Sequence, residues 1–170
     1  TGKEKVNLIG HSHGGPTIRY VAAIRPEIVA SVTGVAGSFR GSKVADNIRN
    51  NKGTTAFFNI VGGQLLGPTI TWAQGNSDLP INMNASLHSI SEVGSAEFNQ
   101  KFPTAALATH CDASGAKVDQ GVHYYSWMGV AQTTNVLDVL DTVLTQLAPL
   151  VYGNWDNDGL VGRCSTHIGQ

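Results

Sequence analysis

The pentapeptide Gly10-His11-Ser12-His13-Gly14 carries the side chains of this sequence that are best suited to nucleophilic chemistry. The apolar residues 5–9 before it are typical of a buried strand, and residues 15–25 after it predict a helix. A serine at a strained strand-to-helix turn is held with its Oγ clear of the backbone. The flanking glycines omit Cβ atoms that would clash where strand and helix pack closely. Ser12 is therefore the predicted nucleophile, and the alternative is a glycine-rich turn with a spectator serine.

The pattern Gly-x-Ser-x-Gly between a strand and a helix is the nucleophile elbow of the α/β-hydrolase fold. It predicts an α/β protein with a parallel central sheet and helices on both faces. Residues 27–36 are β-branched and nearly uncharged, which predicts a second parallel strand and one βαβ unit. The elbow strand is central in such sheets, so other strands should precede it. We expect residues 1–170 to be a single incomplete domain, truncated at both ends.

The remaining segments predict the elements that surround the elbow. A short polar helix is expected over 43–50, an amphipathic helix over 86–102, an aromatic strand over 124–127 and a helix over 135–152. Residues 53–80 are apolar, rich in glycine and almost uncharged. They fit either a mobile cap over the site or an ordinary core helix.

Length and charge limit the possible functions. The chain has 170 residues, of which 41% are hydrophobic and 14% charged, enough for one sizeable core. A net charge of −1 and a pI near 6.5 give no basic surface for nucleic acid or for an anionic membrane. No apolar run is long enough to span a bilayer.

A serine nucleophile needs a base and a carboxylate that orients the base, in the chain order Ser, Asp or Glu, His for this fold. Asp158 lies in the turn sequence 157–162. We expect 152–155 to end a strand, which would place Asp158 at the carboxyl edge of the sheet. The alternative is an Asx-turn residue without a catalytic role.

The base is harder to find among the six histidines. His11 and His13 flank the nucleophile and should point away from it. Only His167 follows Asp158, and it follows too closely for a loop to carry its imidazole between Asp158 and Ser12. We therefore expect the base to lie beyond Gln170.

The run 5–22, from Lys5 to Ala22, closely resembles the elbow of secreted bacterial triacylglycerol lipases of the Pseudomonas and Burkholderia type. The resemblance spans nearly the whole chain and is weakest over 53–80. Four further stretches carry it: 40–42, 97–103, 124–127, and 157–162 with Cys164.

The resemblance implies a role for several residues. Ser12 matches the nucleophile, Asp158 the triad aspartate, and the backbone N–H of His13 one donor of the oxyanion hole. The second donor and the catalytic histidine of the family would lie outside this sequence, while His167 matches a non-catalytic position.

The resemblance also implies stabilising groups and partners. From the residues alone, the two cysteines could form one bridge or stay free; the family pairs Cys111 with Cys164. Asp138 would otherwise look like a solvated charge, but it matches a ligand of a structural Ca²⁺. The family further implies secretion and, for many members, a membrane-anchored foldase, whereas the cap over 53–80 is expected from its residues only.

We expect the parent protein to be a serine lipase that hydrolyses triacylglycerol esters at an oil–water interface through an acyl-enzyme. The chain as given should be inactive, because removing a triad base costs on the order of 10⁶ in turnover. The alternatives are an esterase, thioesterase or polyester depolymerase with the same elbow, and a non-catalytic binding protein of this fold.

Overall fold

The structure, a computed structural model, describes residues 2, 4–50, 82–111, 113–134 and 139–170. The cap expected over 53–80 lies outside these residues. Eleven elements follow one another along the described chain. The strands are β1 (Val6–His11), β2 (Val29–Val35), β3 (Val118–Asp119) and β4 (Val122–Trp127). The helices are α1 (Gly14–Ile24), α2 (Lys43–Asn50), α3 (Met83–Ser89), α4 (Glu92–Lys101), α5 (Val139–Tyr152) and α6 (Arg163–Thr166), with a 3₁₀ turn over Pro26–Ile28.

The strands form one mixed sheet in the order β1-β2-β4-β3. The pairs β1–β2 and β2–β4 are parallel, so the predicted parallel sheet is confirmed for these three strands. The short strand β3 runs antiparallel to β4, which the sequence pattern did not predict. This topology brings the carboxyl ends of β1, β2 and β4 to the same edge, beside the elbow.

Helix α1 returns the chain across the sheet, as expected. Pro16 lies in its first turn, where the missing N–H would have no partner in the helix. The N–H of Arg25 donates to the Val21 carbonyl at 2.9 Å, and Pro26 then starts the 3₁₀ turn. The second strand therefore begins at Val29 and not at the predicted residue 27.

The single helix predicted over 86–102 is in fact two helices. Helix α3 ends at Ser89, and Ser91 caps the N-terminus of α4 by accepting a hydrogen bond from the Gly94 N–H at 3.1 Å. The helix is interrupted at this cap although the apolar spacing continues through Ile90 and Val93. Periodicity alone could not show this break.

The core lies between the sheet and α1, and α1 packs against β1 and β2. The opposite face of the sheet is open within the described part of the chain. There Ile9 pairs in register with Thr33, which pairs with Tyr125. Ile9 is 73% and Trp127 71% exposed. The buried core residues are Ala22, Val29, Val32, Phe39, Ala106, Val122, Tyr124 and Ile168.

Among the residues that the structure describes, no helix combines the length and the hydropathy that crossing a bilayer requires.

Candidate active site

The strained turn that the sequence predicts is present at Ser12. Its φ is +53°, in the left-handed region, and it lies between the end of β1 and the start of α1. The Ser12 N–H donates to the Val35 carbonyl at 2.9 Å, and the Ser12 carbonyl accepts from the Gly15 N–H at 3.0 Å. A left-handed backbone costs a non-glycine residue roughly 1–2 kcal/mol. The surrounding hydrogen bonds therefore hold Ser12 in a conformation that it would not adopt alone.

Close packing requires glycine at two positions around this turn. A Cβ at Gly10 would lie 2.3 Å from the carbonyl oxygen of Gly14, so the prediction for Gly10 is confirmed. A Cβ at Gly14 would meet nothing within 4 Å, so the expected clash there is wrong. The second tight position is Gly15, whose Cβ would lie 2.9 Å from the Gly37 Cα. Gly15, and not Gly14, is therefore the second glycine that close packing requires.

His13 places two different groups beside Ser12. Its backbone N–H lies at the N-cap of α1, where the helix supplies no internal partner. Its ring turns towards α3, with Nε2 at 2.9 Å from the Ser89 Oγ. The Ser89 hydroxyl also donates to the Ser86 carbonyl at 2.8 Å, so the imidazole supplies the hydrogen of the His13–Ser89 pair. Desolvation at α3 lowers the pKa of His13 below its usual value.

Asp158 lies in a turn and not at a strand end. Helix α5 extends through Tyr152, so the strand end predicted over 152–155 is wrong. The turn is closed by a bridge between Asn157 and Gly162. Asp158 Oδ1 accepts two hydrogen bonds, from the N–H groups of Leu160 at 2.9 Å and Val161 at 2.7 Å. Oδ2 accepts none from the residues described, so the turn uses half of the carboxylate.

No imidazole completes the site. All six histidines lie in the described ranges, and none of them forms a hydrogen bond there with Ser12 or Asp158. His167 Nδ1 lies 3.4 Å from the Cys111 carbonyl, and His88 Nε2 lies 3.0 Å from the Glu97 carboxylate. Ser12 and Asp158 share no hydrogen bond either. The described chain therefore contributes a strained serine and a half-free carboxylate but no base between them.

A disulfide joins Cys111 to Cys164, as the resemblance implied, with a Cα–Cα distance of 4.7 Å. It ties the loop after α4 to α6. The loop that it closes contains β4, α5 and Asp158.

The described residues do not form a metal site. Asp138 lies outside them, and within them no group of three or more His, Cys, Asp or Glu side chains could hold a metal ion. Three residues further along, Asp141 Oδ2 accepts hydrogen bonds from the Thr134 N–H at 2.7 Å and the Thr134 hydroxyl at 2.9 Å. A hard cation such as Ca²⁺ needs several oxygen ligands, which this part of the chain does not bring together.

A buried arginine connects the elbow helix to α4, and sequence patterns gave no signal for it. Arg19 is 1% exposed, and its guanidinium donates to the side-chain oxygen of Asn99 and to the Phe102 carbonyl. The same group lies 4.8 Å from the centre of the Phe98 ring. Burial lowers the pKa of Arg19 to about 10. Beside it a cavity of about 470 Å³ runs from His13 to Lys101 between α1, α3 and α4.

Comparison with known proteins defines the class first. The family described as alpha/beta hydrolase fold matches residues 1–111. The chain therefore belongs to the α/β-hydrolase family, and the predicted fold class is confirmed.

Within this family the chain is similar to bacterial triacylglycerol lipases, as the sequence resemblance suggested. It is 47% identical to a triacylglycerol lipase of Vibrio cholerae over 100% of this chain and 54% of that protein. It is 37% identical to a triacylglycerol lipase of Pseudomonas fragi over 99% of this chain and 61% of that protein. The chain thus spans between half and two thirds of the length of these relatives.

A solved structure agrees in fold. The crystal structure of Bacillus licheniformis lipase BlEst2 in mature form superposes with a TM-score of 0.57 at 14% identity, covering 95% of this chain and 53% of that one.

Proposed function

We propose that the natural protein containing this chain is a serine lipase that hydrolyses the carboxylic esters of triacylglycerols. One observation carries the proposal: Ser12 has a φ of +53° between β1 and α1, with its N–H bonded to the Val35 carbonyl. A non-glycine residue persists in such a backbone only where its surroundings impose it, and such sites are often functional. The similarity to triacylglycerol lipases along the whole chain supports this substrate class.

In the proposed reaction Ser12 Oγ attacks the ester carbonyl carbon while a histidine takes its proton. The carbonyl oxygen becomes an oxyanion, and the N–H of His13 donates a hydrogen bond to it. Loss of one such donor typically costs on the order of 10²–10³ in rate. The histidine then protonates the departing alcohol, leaving an acyl-enzyme on Ser12. Water, deprotonated by the same histidine, releases the fatty acid.

Asp158 has the role of holding that histidine. Its Oδ1 is fixed by the N–H groups of Leu160 and Val161, which leaves Oδ2 to accept a hydrogen bond from an imidazole. A carboxylate placed this way selects the tautomer and stabilises the imidazolium. The base itself would come from the part of the natural protein outside residues 1–170. The chain alone should then be slower by on the order of 10⁶.

The family's other properties are part of the proposal. Asp138 would be one ligand of a structural Ca²⁺. If a chelator left the melting temperature of the natural protein unchanged, the calcium part of the proposal would be wrong. The bridge between Cys111 and Cys164 suits an oxidising compartment, in keeping with secretion. A foldase partner is proposed on the resemblance alone.

The proposal is tested by labelling the natural protein with a fluorophosphonate, which forms a covalent bond to an activated serine. We expect labelling of the unchanged protein and none of Ser12→Ala. Hydrolysis of an emulsified long-chain triacylglycerol is compared with hydrolysis of a soluble short-chain ester. Labelling with activity on both substrates supports a lipase, and activity on the short ester alone indicates an esterase. A protein that is folded but not labelled would be a non-catalytic member of the fold.

A further inference from the structure

The ring of Phe39 occupies a slot formed by three glycines. A Cβ at Gly34 would lie 2.5 Å from the ring, one at Gly37 2.7 Å and one at Gly15 3.2 Å. Phe39 is 1% exposed, so the slot is closed to solvent. The ring therefore takes the space of three missing side chains and lies directly against three stretches of backbone.

Two of these stretches are hydrogen-bonded to the backbone of Ser12. Gly15 belongs to the first turn of α1 and donates its N–H to the Ser12 carbonyl. Gly34 lies at the end of β2, next to Val35, whose carbonyl accepts the Ser12 N–H. The ring thus lies between the two segments that hold Ser12 by hydrogen bonds.

The backbone of Phe39 is itself fixed on both sides. Its N–H donates to the Ser165 carbonyl at 3.0 Å, and its carbonyl accepts from the Asn99 side chain at 2.9 Å. Asn99 in turn accepts from Arg19 of α1. Because α1, α4 and the residues of α6 all hold this loop, the ring cannot withdraw from the slot without breaking hydrogen bonds.

We propose that Phe39 is a positioning residue for Ser12. Its ring sets the distance between the first turn of α1 and the end of β2, and so keeps the Ser12 Oγ and the His13 N–H in fixed relative positions. The inference rests on the proposed nucleophilic role of Ser12, and Phe39 itself touches no substrate. Interiors are close-packed, so a smaller side chain here lets both segments shift. A displacement of about 1 Å at a reacting group can cost on the order of 10² in rate.

The first test is the Phe39→Leu variant of the natural protein, with Ile168→Ala as the matched control. Ile168 is 0% exposed in the same core, and none of its atoms is among those nearest to a Cβ at the three glycines of the slot. Fluorophosphonate labelling is followed at several reagent concentrations, which separates reagent affinity from the limiting rate of bond formation. We expect Phe39→Leu to lower the limiting rate by on the order of tenfold or more with affinity unchanged. Ile168→Ala should lower only the melting temperature.

The second test approaches the slot from the other side, and does not depend on Phe39→Leu folding. Gly34→Ala keeps the ring and adds a methyl group 2.5 Å from it, which must displace the ring or the strand. We expect slower labelling, and partial recovery in the double variant Gly34→Ala with Phe39→Leu, where the smaller side chain makes room. Gly129→Ala is the control, because a Cβ there meets nothing within 4 Å.

The failures of the two proposals can be told apart. If the unchanged protein is folded but not labelled, the role of Ser12 is wrong and the role of Phe39 falls with it. If the unchanged protein is labelled and Phe39→Leu reacts at the limiting rate of Ile168→Ala, only the positioning role is overturned. A Gly34→Ala variant that reacts like Gly129→Ala would also overturn it.

Discussion

At the scale of single residues, the backbone of Ser12 carries a local cost in free energy. Its φ of +53° is natural for glycine and unfavourable for serine. We expect Ser12→Gly to be more stable than Ser12→Ala by about 1 kcal/mol, because only glycine relieves the left-handed conformation. Chemical denaturation of the two inactive variants of the natural protein measures the difference. Equal free energies of unfolding would show that the turn carries no strain.

Asp158 holds its turn and, in the proposed mechanism, also holds the catalytic histidine; different substitutions separate these two roles. Asp158→Asn keeps an oxygen for the N–H groups of Leu160 and Val161 but removes the charge that supports an imidazolium. We expect it to lower kcat by about 10⁴ with little loss of stability. Asp158→Ala should lose activity and also about 1–2 kcal/mol of stability, because two N–H groups lose their acceptor. Ester hydrolysis and denaturation are measured on both variants. Full activity of Asp158→Asn would show that Asp158 only stabilises its turn.

His13 should make stability depend on pH. Burial lowers its pKa in the folded state, so the unfolded chain binds protons more readily as the pH falls below the usual value of 6.5. The resulting stability is complete above that pH and is lost on acidification through the lower, folded pKa. His13→Gln keeps a polar group for Ser89 and does not titrate. We expect the melting temperature of this variant to fall less between pH 7 and pH 5 than that of the unchanged protein.

At the scale of elements, local sequence patterns predicted those strands and helices that are determined by neighbouring residues. The elbow and the strand near 29–35 follow from apolar runs, prolines and glycines next to one another in sequence. The helix over 43–50 follows from a short polar segment. The break between α3 and α4 does not, because its cause is a side-chain cap at Ser91 that the apolar spacing conceals. The turn around Asp158 was misjudged because α5 continues through Tyr152 and leaves no strand before it.

Ser91 joins three helices. Its Oγ caps α4 through Gly94, accepts from Arg49 of α2 at 2.9 Å and donates to the His88 carbonyl of α3 at 2.7 Å. We expect Ser91→Ala to cost about 2–3 kcal/mol, because it removes the acceptor of the buried Gly94 N–H and the bonds to Arg49 and His88. Asn82→Ala removes the exposed cap of α3 and should cost about 1 kcal/mol. Urea titration of both variants tests the ranking, and equal costs would contradict the joining role of Ser91.

At the scale of the whole molecule, the disulfide constrains a large part of the chain. It links residues 53 positions apart, which in the chain-entropy model stabilises the fold by about 4 kcal/mol. We expect the double variant Cys111→Ala and Cys164→Ala to lose up to this amount in urea titrations without reductant. Reductant should destabilise the unchanged protein to the same extent and leave the double variant as it was. An unchanged protein that is insensitive to reductant would show that the bridge adds no stability.

Long-range features were beyond the reach of the sequence for a physical reason. The slot around Phe39 brings together Gly15, Gly34 and Gly37, and its outer support comes from Asn99 and Ser165. Gly34 and Gly37 are close to Phe39 in sequence, but nothing local marks the ring as the partner of the distant Gly15. The base could not be found for a different reason, since no histidine in the described ranges forms a side-chain hydrogen bond with Ser12. The strained turn at Ser12 was predictable because the glycine pattern around it is local.

The open face of the sheet and the unpaired edge of β1 have a consequence for handling this chain in isolation. β1 is hydrogen-bonded along one side only among the strands described, and Ile9 on it is 73% exposed. An unpaired strand presents rows of free N–H and carbonyl groups to any second copy in solution. Trp127 on the same face adds a large apolar surface, itself 71% exposed. Produced alone, the polypeptide should self-associate increasingly as its concentration rises. Its small net charge would not prevent this association.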